Sequence, residues 1–330
     1  MITLMLAFLT SFLVTVVLMP LVIKFFRSMH YGQTILGYVE EHKEKNGTLT
    51  MGGVVFLLVP FALSFCFLKY DVNWFMCLLV SVFFGVLGFM DDFIKIKFKQ
   101  NLGLRPYQKI IGQVGISIIF ALFVYLTLGG KFFVPFTETQ VDIKFWIVPL
   151  ILLVLVATTN SVNLTDGLDG LAGSVTFVYL VLFAVILSIV SASLYNLGEV
   201  GKILENISSV NTLCMLFAGS VLGFLMFNTN KASIFMGDVG SLCLGGFVGA
   251  SACLVGQEFL ILILGFCFVF SALSVILQVA VFKLKKKRIF KMAPFHHHLQ
   301  MSGLSEPKIV AIYSAVTMCL GVLCIVLYLV

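Results

Sequence analysis

Five aspartates in this 330-residue chain lie in apolar sequence beside glycine or asparagine: Asp91, Asp92, Asp166, Asp169 and Asp238. A carboxylate at membrane depth is costly, so each is a functional candidate before any other reading. The competing reading of a single Asp is helix capping at an interface. It does not account for five of them with neighbouring Gly and Asn. Asp91 and Asp92 are adjacent and repel, so one holds a raised pKa or the pair holds a cation. Asp91 and Lys95 are spaced i,i+4, and Lys99 continues that stripe, which suits a site that handles phosphate. A snorkelling basic collar is the plainer alternative for these lysines.

The run Asn160-Ser-Val-Asn163-Leu-Thr-Asp166-Gly-Leu-Asp169-Gly places a polar residue at every third position. Such spacing lines one side of a helix end, and the glycines after each Asp let backbone or ligand approach. Asp238 stands in Phe235-Met-Gly237-Asp-Val-Gly240, shortly after Asn228-Thr-Asn230-Lys231. Oxygen ligands from separate loops, completed by phosphate, are what Mg²⁺ usually takes, and Asp238 with Asp166 is the expected metal pair. Phe235 could stack on a base. His296, His297 and His298 follow Met-Ala-Pro-Phe, after six basic residues between Lys283 and Lys291. Three adjacent histidines cannot all face one metal, whereas histidine donates hydrogen bonds to phosphate and titrates near neutrality. The basic run also suits an anchor on anionic lipid. A weaker stretch, Lys45-Asn-Gly47-Thr48-Leu49-Thr50-Met-Gly52-Gly53, could cradle an anion or shape a loop.

The elements that carry these residues are membrane spans. Sixty per cent of the chain is apolar and 11% charged, with mean hydropathy +1.11. A soluble fold cannot bury that much apolar surface, and disorder is excluded for the same reason. Ten apolar stretches approach the length of a spanning helix: 3–26, 51–68, 74–90, 107–128, 146–164, 171–190, 211–227, 239–255, 259–282 and 308–329. The fold class is therefore an all-α polytopic membrane protein in a single domain over 1–330. Residues 132–145 are expected to form a small β-hairpin. Seventeen of the 21 Lys and Arg fall in alternate loops and four in the others, which predicts both termini outside. All the clusters then share the inner face. No basic segment precedes the first apolar run, so that span is expected to be retained. The eight cysteines lie in apolar runs without CxxC spacing and read as buried hydrophobes.

On these residues the chain resembles the polyprenyl-phosphate N-acetylhexosamine-1-phosphate transferase superfamily. The carriers are Asp91-Asp92, the Asn160 to Asp169 run, Gly237-Asp238 and the Ala-Pro-Phe-His296-His297-His298 loop. The triple-His loop and the early Thr-Met-Gly-Gly are similar to the phospho-N-acetylmuramoyl-pentapeptide transferase branch. Two positions depart from that branch: Leu49 where it usually has Pro, and Gln300 where it usually has Glu. The resemblance implies transfer of phospho-MurNAc-pentapeptide from UDP-MurNAc-pentapeptide to undecaprenyl phosphate, giving lipid I and UMP. It implies Mg²⁺, a bacterial inner-membrane location with the site on the cytoplasmic face, contact with membrane lipid, a homodimer, and no nucleic-acid partner. It implies catalytic roles for Asp91, Asp92, Asp238 and His296. The substrate-binding set it implies is Lys45, Thr50, Lys95, Lys99, Asn160, Asn163, Asp166, Asp169, Asn228, Phe235, Gln278, His297 and His298. A sister transferase using another UDP-sugar is the nearer rival. A flippase or transporter would string charges through the bilayer, but here the span centres are almost charge-free.

Overall fold

The computed structural model describes residues 2–29, 48–98, 103–137, 139–197 and 201–330. Nine helices among them are long and apolar enough to cross a membrane. In chain order they are α1 (Ile2–Ser28), α3 (Val72–Lys97), α4 (Pro106–Leu128), α5 (Ile147–Thr165, entered through a 3-10 turn at Lys144–Trp146), α6 (Leu171–Asn196), α7 (Lys202–Asn228), α8 (Gly237–Leu254), α10 (Phe266–Lys285) and α12 (Glu306–Leu329). The remaining helices are α2 (Val54–Phe67), α9 (Ile261–Leu264) and α11 (Phe295–Gln300).

Every apolar stretch is helical, yet two differ from a simple span. The second stretch yields only the 14 residues of α2, about 21 Å at 1.5 Å per residue against a hydrocarbon thickness of about 30 Å. Its first residues are used otherwise. Gly52 and Gly53 donate backbone hydrogen bonds to the carbonyls of Phe235 and Met236, both 2.9 Å. The ninth stretch breaks at Gly265, so that α9 and α10 are separate helices. The expected hairpin is present: β1 (Lys131–Phe133) pairs antiparallel with β2 (Gln140–Asp142), Phe132 opposite Val141. Six of the eight cysteines are buried and all are free thiols.

The core is α7 and α8, mostly enclosed, with α1, α4, α10 and α12 presenting long apolar faces outward. Helix packing in lipid rests on close backbone approach, which small residues permit. The sequence of α8, GDVGSLCLGGFVGASACL, is dominated by them. A Cβ on Gly245 would lie 2.6 Å from Thr159 Cα of α5. A Cβ on Gly88 of α3 would overlap the Asp238 carbonyl at the start of α8. The same close crossing therefore brings Asp91 and Asp92, one turn beyond Gly88, beside Asp238.

The contacts separate two glycines. Gly245→Ala should lower the melting temperature in detergent, because overpacking a tight helix crossing costs about 1–3 kcal/mol. Gly115→Ala in α4, where a Cβ meets nothing within 4 Å, should leave it unchanged or raise it by the helix-propensity gain of about 0.5–1 kcal/mol. Thermal unfolding of both variants, read by fluorescence, checks the pair.

Candidate functional site

Four helix ends meet at one end of the bundle. The last turns of α3 carry Asp91, Asp92 and Lys95. The first turn of α4, opened by Pro106, carries Lys109. The last turns of α5 carry Asn160 and Asn163, and the first turn of α8 carries Asp238. Oxygens of Asp91, Asp92 and Asp238 lie within 4.8 Å of one another. Lys95 Nζ is 2.6 Å from Asp91 Oδ2, 3.0 Å from Asp238 Oδ2 and 3.6 Å from Asp92 Oδ1. Lys109 Nζ is 2.9 Å from Asp238 Oδ2. Asn163 Nδ2 donates to Asp238 Oδ1 at 2.7 Å and to Ser241 Oγ at 2.8 Å.

The three carboxylates are held differently. Asp91 Oδ1 accepts from the Leu104 backbone N–H at 2.8 Å, tying down the chain before α4. Asp92 Oδ2 accepts from the Val239 N–H at 3.1 Å, binding α3 to the first turn of α8. Gly237, at φ +75°, leaves room for this contact, since a Cβ there would press on Asp92 Oδ2 and Thr50 Oγ1. Asp238 is the most open of the three, with 17% of its side chain exposed against 4% and 6%. With all five groups ionised, three carboxylates and two ammonium groups leave one net negative charge in the cluster. An all-oxygen donor set with residual negative charge fits a hard divalent cation. Asp166 is not within this group of three.

Several expected ligand-binding residues use their polar atoms on the protein itself. Asn228 Oδ1 accepts from Gly170 N at 3.1 Å and its Nδ2 donates to Ile234 O at 2.9 Å, so it braces two loops together. Asp169 Oδ2 accepts from Ala232 N at 3.1 Å. Asn160 exchanges hydrogen bonds with Gln113 of α4, 2.7 Å from Nδ2 to Oε1. Gln278 closes on the backbone of Ile289 and Phe290, accepting from both N–H groups at 3.0 Å and donating to Phe290 O at 2.9 Å. That clasp, with Ser274 Oγ accepting from Phe295 N at 3.0 Å, seats α11 on α10. Phe235 is half-buried, its backbone N–H donating to Leu49 O at 2.7 Å, while its ring meets no other aromatic ring among the described residues. The bond to Leu49 uses a carbonyl, which a proline at that position would also offer. Lys45 and Lys99 lie outside the described residues.

The three histidines occupy different environments. His296 is fully buried, and neither ring nitrogen has a partner among the described residues. Burial, with His297 beside it, holds its pKa down at about 3. A Cβ on Gly167 would strike its Nε2, so the Asp166–Gly167 turn lies directly on this ring. His297 packs on His296 with centroids 4.4 Å apart. His298 Nδ1 accepts from Lys291 N at 3.1 Å. Lys109, Gln113 and Ser241 were not singled out by spacing. Lys109 lies in another helix from the acids it serves, and its only sequence signal is its place on the basic-rich face.

Two outcomes follow from the charge distribution. Asp238→Asn should weaken Mn²⁺ binding about tenfold or more, as losing a charged oxygen ligand does, while Lys109→Met, which removes an ammonium group from Asp238, should tighten it. Titration calorimetry on detergent-purified protein distinguishes them by sign. Burial and the nearby Asp238, Asp92 and Asp169 carboxylates push Asp166 up to about 8. A raised folded-state pKa gives stability that is full below the ordinary carboxylate value of 3.8 and lost as pH climbs toward about 8. Asp166→Asn, in EDTA, should therefore raise the melting temperature at about pH 8 and not at about pH 4.

The model of the glycosyl transferase family 4 matches residues 74–256. The chain is 40% identical to the Phospho-N-acetylmuramoyl-pentapeptide-transferase of Halalkalibacterium halodurans, over 98% of this chain and 97% of that one. It is 39% identical to the protein of that name from a Geobacillus species, over 94% and 93% of the two chains. Against that of Listeria welshimeri it is 40% identical, over 92% and 91%.

Proposed function

The chain belongs to the phospho-N-acetylmuramoyl-pentapeptide transferases of glycosyl transferase family 4, and from that premise we propose how its own residues carry out the transfer. The reaction moves phospho-MurNAc-pentapeptide from UDP-MurNAc-pentapeptide to undecaprenyl phosphate, releasing UMP and leaving lipid I in the membrane. The observation that supports this most is the cluster of Asp91, Asp92 and Asp238 with Lys95 and Lys109 at the end of a membrane bundle. One substrate is a lipid and the other a nucleotide, so the site must lie at a membrane face. Both bring phosphates, so cations must stand between them. Basic loops at the same end support a cytoplasmic placement in a bacterial inner membrane.

Mg²⁺ is the cation that suits this oxygen-only set, held through Asp238 with Asp92 or Asp166 in support. When bound it would neutralise charge on the pyrophosphate. The remainder belongs to the chain. Phosphoryl transfer depends mostly on positioning and charge neutralisation. Lys95 and Lys109 sit on Asp238 and can meet phosphate oxygens as they enter. Undecaprenyl phosphate, a monoester with a second pKa near ~6, is mostly dianionic at neutral pH and already a competent nucleophile. It attacks the β-phosphorus of the UDP-sugar. The bond to the bridging oxygen breaks and UMP leaves with that electron pair. Asp91 orients the lipid phosphate or takes its residual proton. Asp92, bound to Val239 N, keeps α3 and α8 in register, since two adjacent carboxylates do not share one role. Phe235 stacks on uracil, its backbone fixed by Leu49 and Gly52. An apolar cavity of about 280 Å³ between α5 and α10 is lined by Leu150, Val154, Val162 and Phe268. It runs to within one turn of Asn163 and suits part of the polyprenyl tail.

Purified protein given Mg²⁺, undecaprenyl phosphate and one UDP-sugar at a time tests the substrate. Lipid-linked product with UDP-MurNAc-pentapeptide and not with UDP-GlcNAc is expected. The reverse would assign a sister reaction. Phe235→Ala should raise the apparent KM for the UDP-sugar far more than that for the lipid, and equal effects would remove the stacking role. With lipid phosphate strictly absent, no UMP should form. A stoichiometric burst of UMP with sugar phosphate retained on the protein, lost in Asp91→Asn, would replace direct attack by a covalent carboxyl-phosphate intermediate.

A further inference from the structure

Helix α4 fully buries Gln113, Ser117, Phe120, Ala121 and Val124, and the first of these is an amide. Asn160 Nδ2 of α5 donates to Gln113 Oε1 at 2.7 Å, and Gln113 Nε2 donates back to Asn160 Oδ1 at 3.4 Å. Asn160 Nδ2 also donates to Val156 O at 2.7 Å. Two apolar side chains would fill this crossing without polar atoms to satisfy. What the amides add is register, because a directional pair is satisfied at one axial and rotational setting of its two helices. Among the described residues, Lys109 and Gln113 are the only side chains of α4 that hydrogen-bond to another helix. Gln113 follows Lys109 by four residues, so the two share one face of α4 a turn apart. Asn163 follows Asn160 by three residues and shares its face of α5.

We propose that Gln113, through Asn160, is a positioning residue that sets Lys109 against Asp238. Helix α5 presents two amides a turn apart. Asn160 holds α4 by Gln113, and Asn163 holds the first turn of α8 by Asp238 Oδ1 and Ser241 Oγ. The ion pair between Lys109 Nζ and Asp238 Oδ2, at 2.9 Å, closes between the two helices so placed. A slip of α4 by one turn, about 5.4 Å, would take the ammonium group out of reach. The Leu104 N–H on Asp91 anchors the chain ahead of α4 but sets neither the rotation nor the depth of the helix. Lys109 and a divalent cation compete for the same Asp238 oxygen. Loosening the amide pair therefore strengthens metal binding, whereas general damage to the site would weaken it. The cation half of this inference rests on the metal reading above, while the placement of Lys109 does not.

Two readouts on the full chain in nanodiscs keep these halves apart. The first uses no metal: lysines are acylated in EDTA and their rates read by peptide mass spectrometry, with exposed Lys283 as the reference. Lys109, with 17% of its side chain exposed, is expected to react slowly in the native protein. In Gln113→Met, which keeps the chain length and removes the amide, it should react about threefold faster, the typical worth of one hydrogen bond between membrane helices. Lys95 should show no increase. Asn160→Leu should act in the same way. Gln113→Asn combined with Asn160→Gln restores an amide pair of equal combined length and should restore the native rate. Unchanged Lys109 reactivity in both single variants, or an equal rise at Lys95, would overturn the proposal. The second readout is Mn²⁺ titration calorimetry. Gln113→Met should tighten binding by up to about threefold and add nothing in a Lys109→Met background. Weaker binding, or two effects that add in full, would detach Gln113 from Lys109. A native protein that takes up no Mn²⁺ would remove the metal reading instead, and the labelling result would still decide the placement of Lys109.

Discussion

Three carboxylates brought within ion-pairing distance of two ammonium groups are the constraint on which the rest of this structure depends. Asp91, Asp92 and Asp238 could not share a half-buried pocket unaided, since like charges at this separation repel strongly. Lys95, one turn along the same helix, and Lys109, from the next, hold them together through Asp238. The pairing is incomplete by about one charge, and that deficit is what makes the pocket attractive to a divalent cation. Bundle architecture follows from the need to deliver these groups. The small residues of α8 let α3 and α5 close on it, and Gly88 lets the acids of α3 lie beside the first turn of α8.

Around this centre the polar residues divide their labour. Asn228, Asp169, Asn160 and Gln278 each use their side chains on backbone or on a neighbouring helix; the first three join segments far apart in sequence, and Gln278 clasps the loop that follows its own helix. Their effect is to present Phe235, the Asp166–Gly167 turn and the His loop as one rigid rim. The short pairing of residues 49–53 with 234–236 serves the same end. It is bought by shortening α2, which gives up its first turn to a backbone ladder over the site.

Much of this was legible in the sequence because membrane proteins concentrate their signal. Few residues are charged, so the acids stood out, and apolar runs located all nine membrane-long helices found among the described residues. The break at Gly265 and the late start of α2 were not legible. A glycine inside an apolar run carries no mark of the break, and backbone pairing leaves no pattern in side chains. Lys109 was missed because its partner Asp238 is 129 residues away in sequence, and spacing rules see only one helix at a time. The residue types of Asn228 and Gln278 were informative, yet type alone does not say whether an amide faces a ligand or a loop. Spacing alone did not separate the three histidines; only the family resemblance gave His296 a role apart from His297 and His298. Burial separates His296 from its neighbours, and hydrogen-bond partners separate His297 from His298.

The central claim is that one carboxylate cluster joins the cation to the nucleotide-sugar pyrophosphate. Electron–nuclear double resonance of Mn²⁺ bound to the purified protein, with UDP-MurNAc-pentapeptide added and lipid phosphate absent, tests it most directly. The account predicts ³¹P hyperfine coupling from the substrate that disappears in Asp238→Asn. Mn²⁺ bound by the native protein with no phosphorus coupling, or coupling that survives Asp238→Asn undiminished, would contradict it.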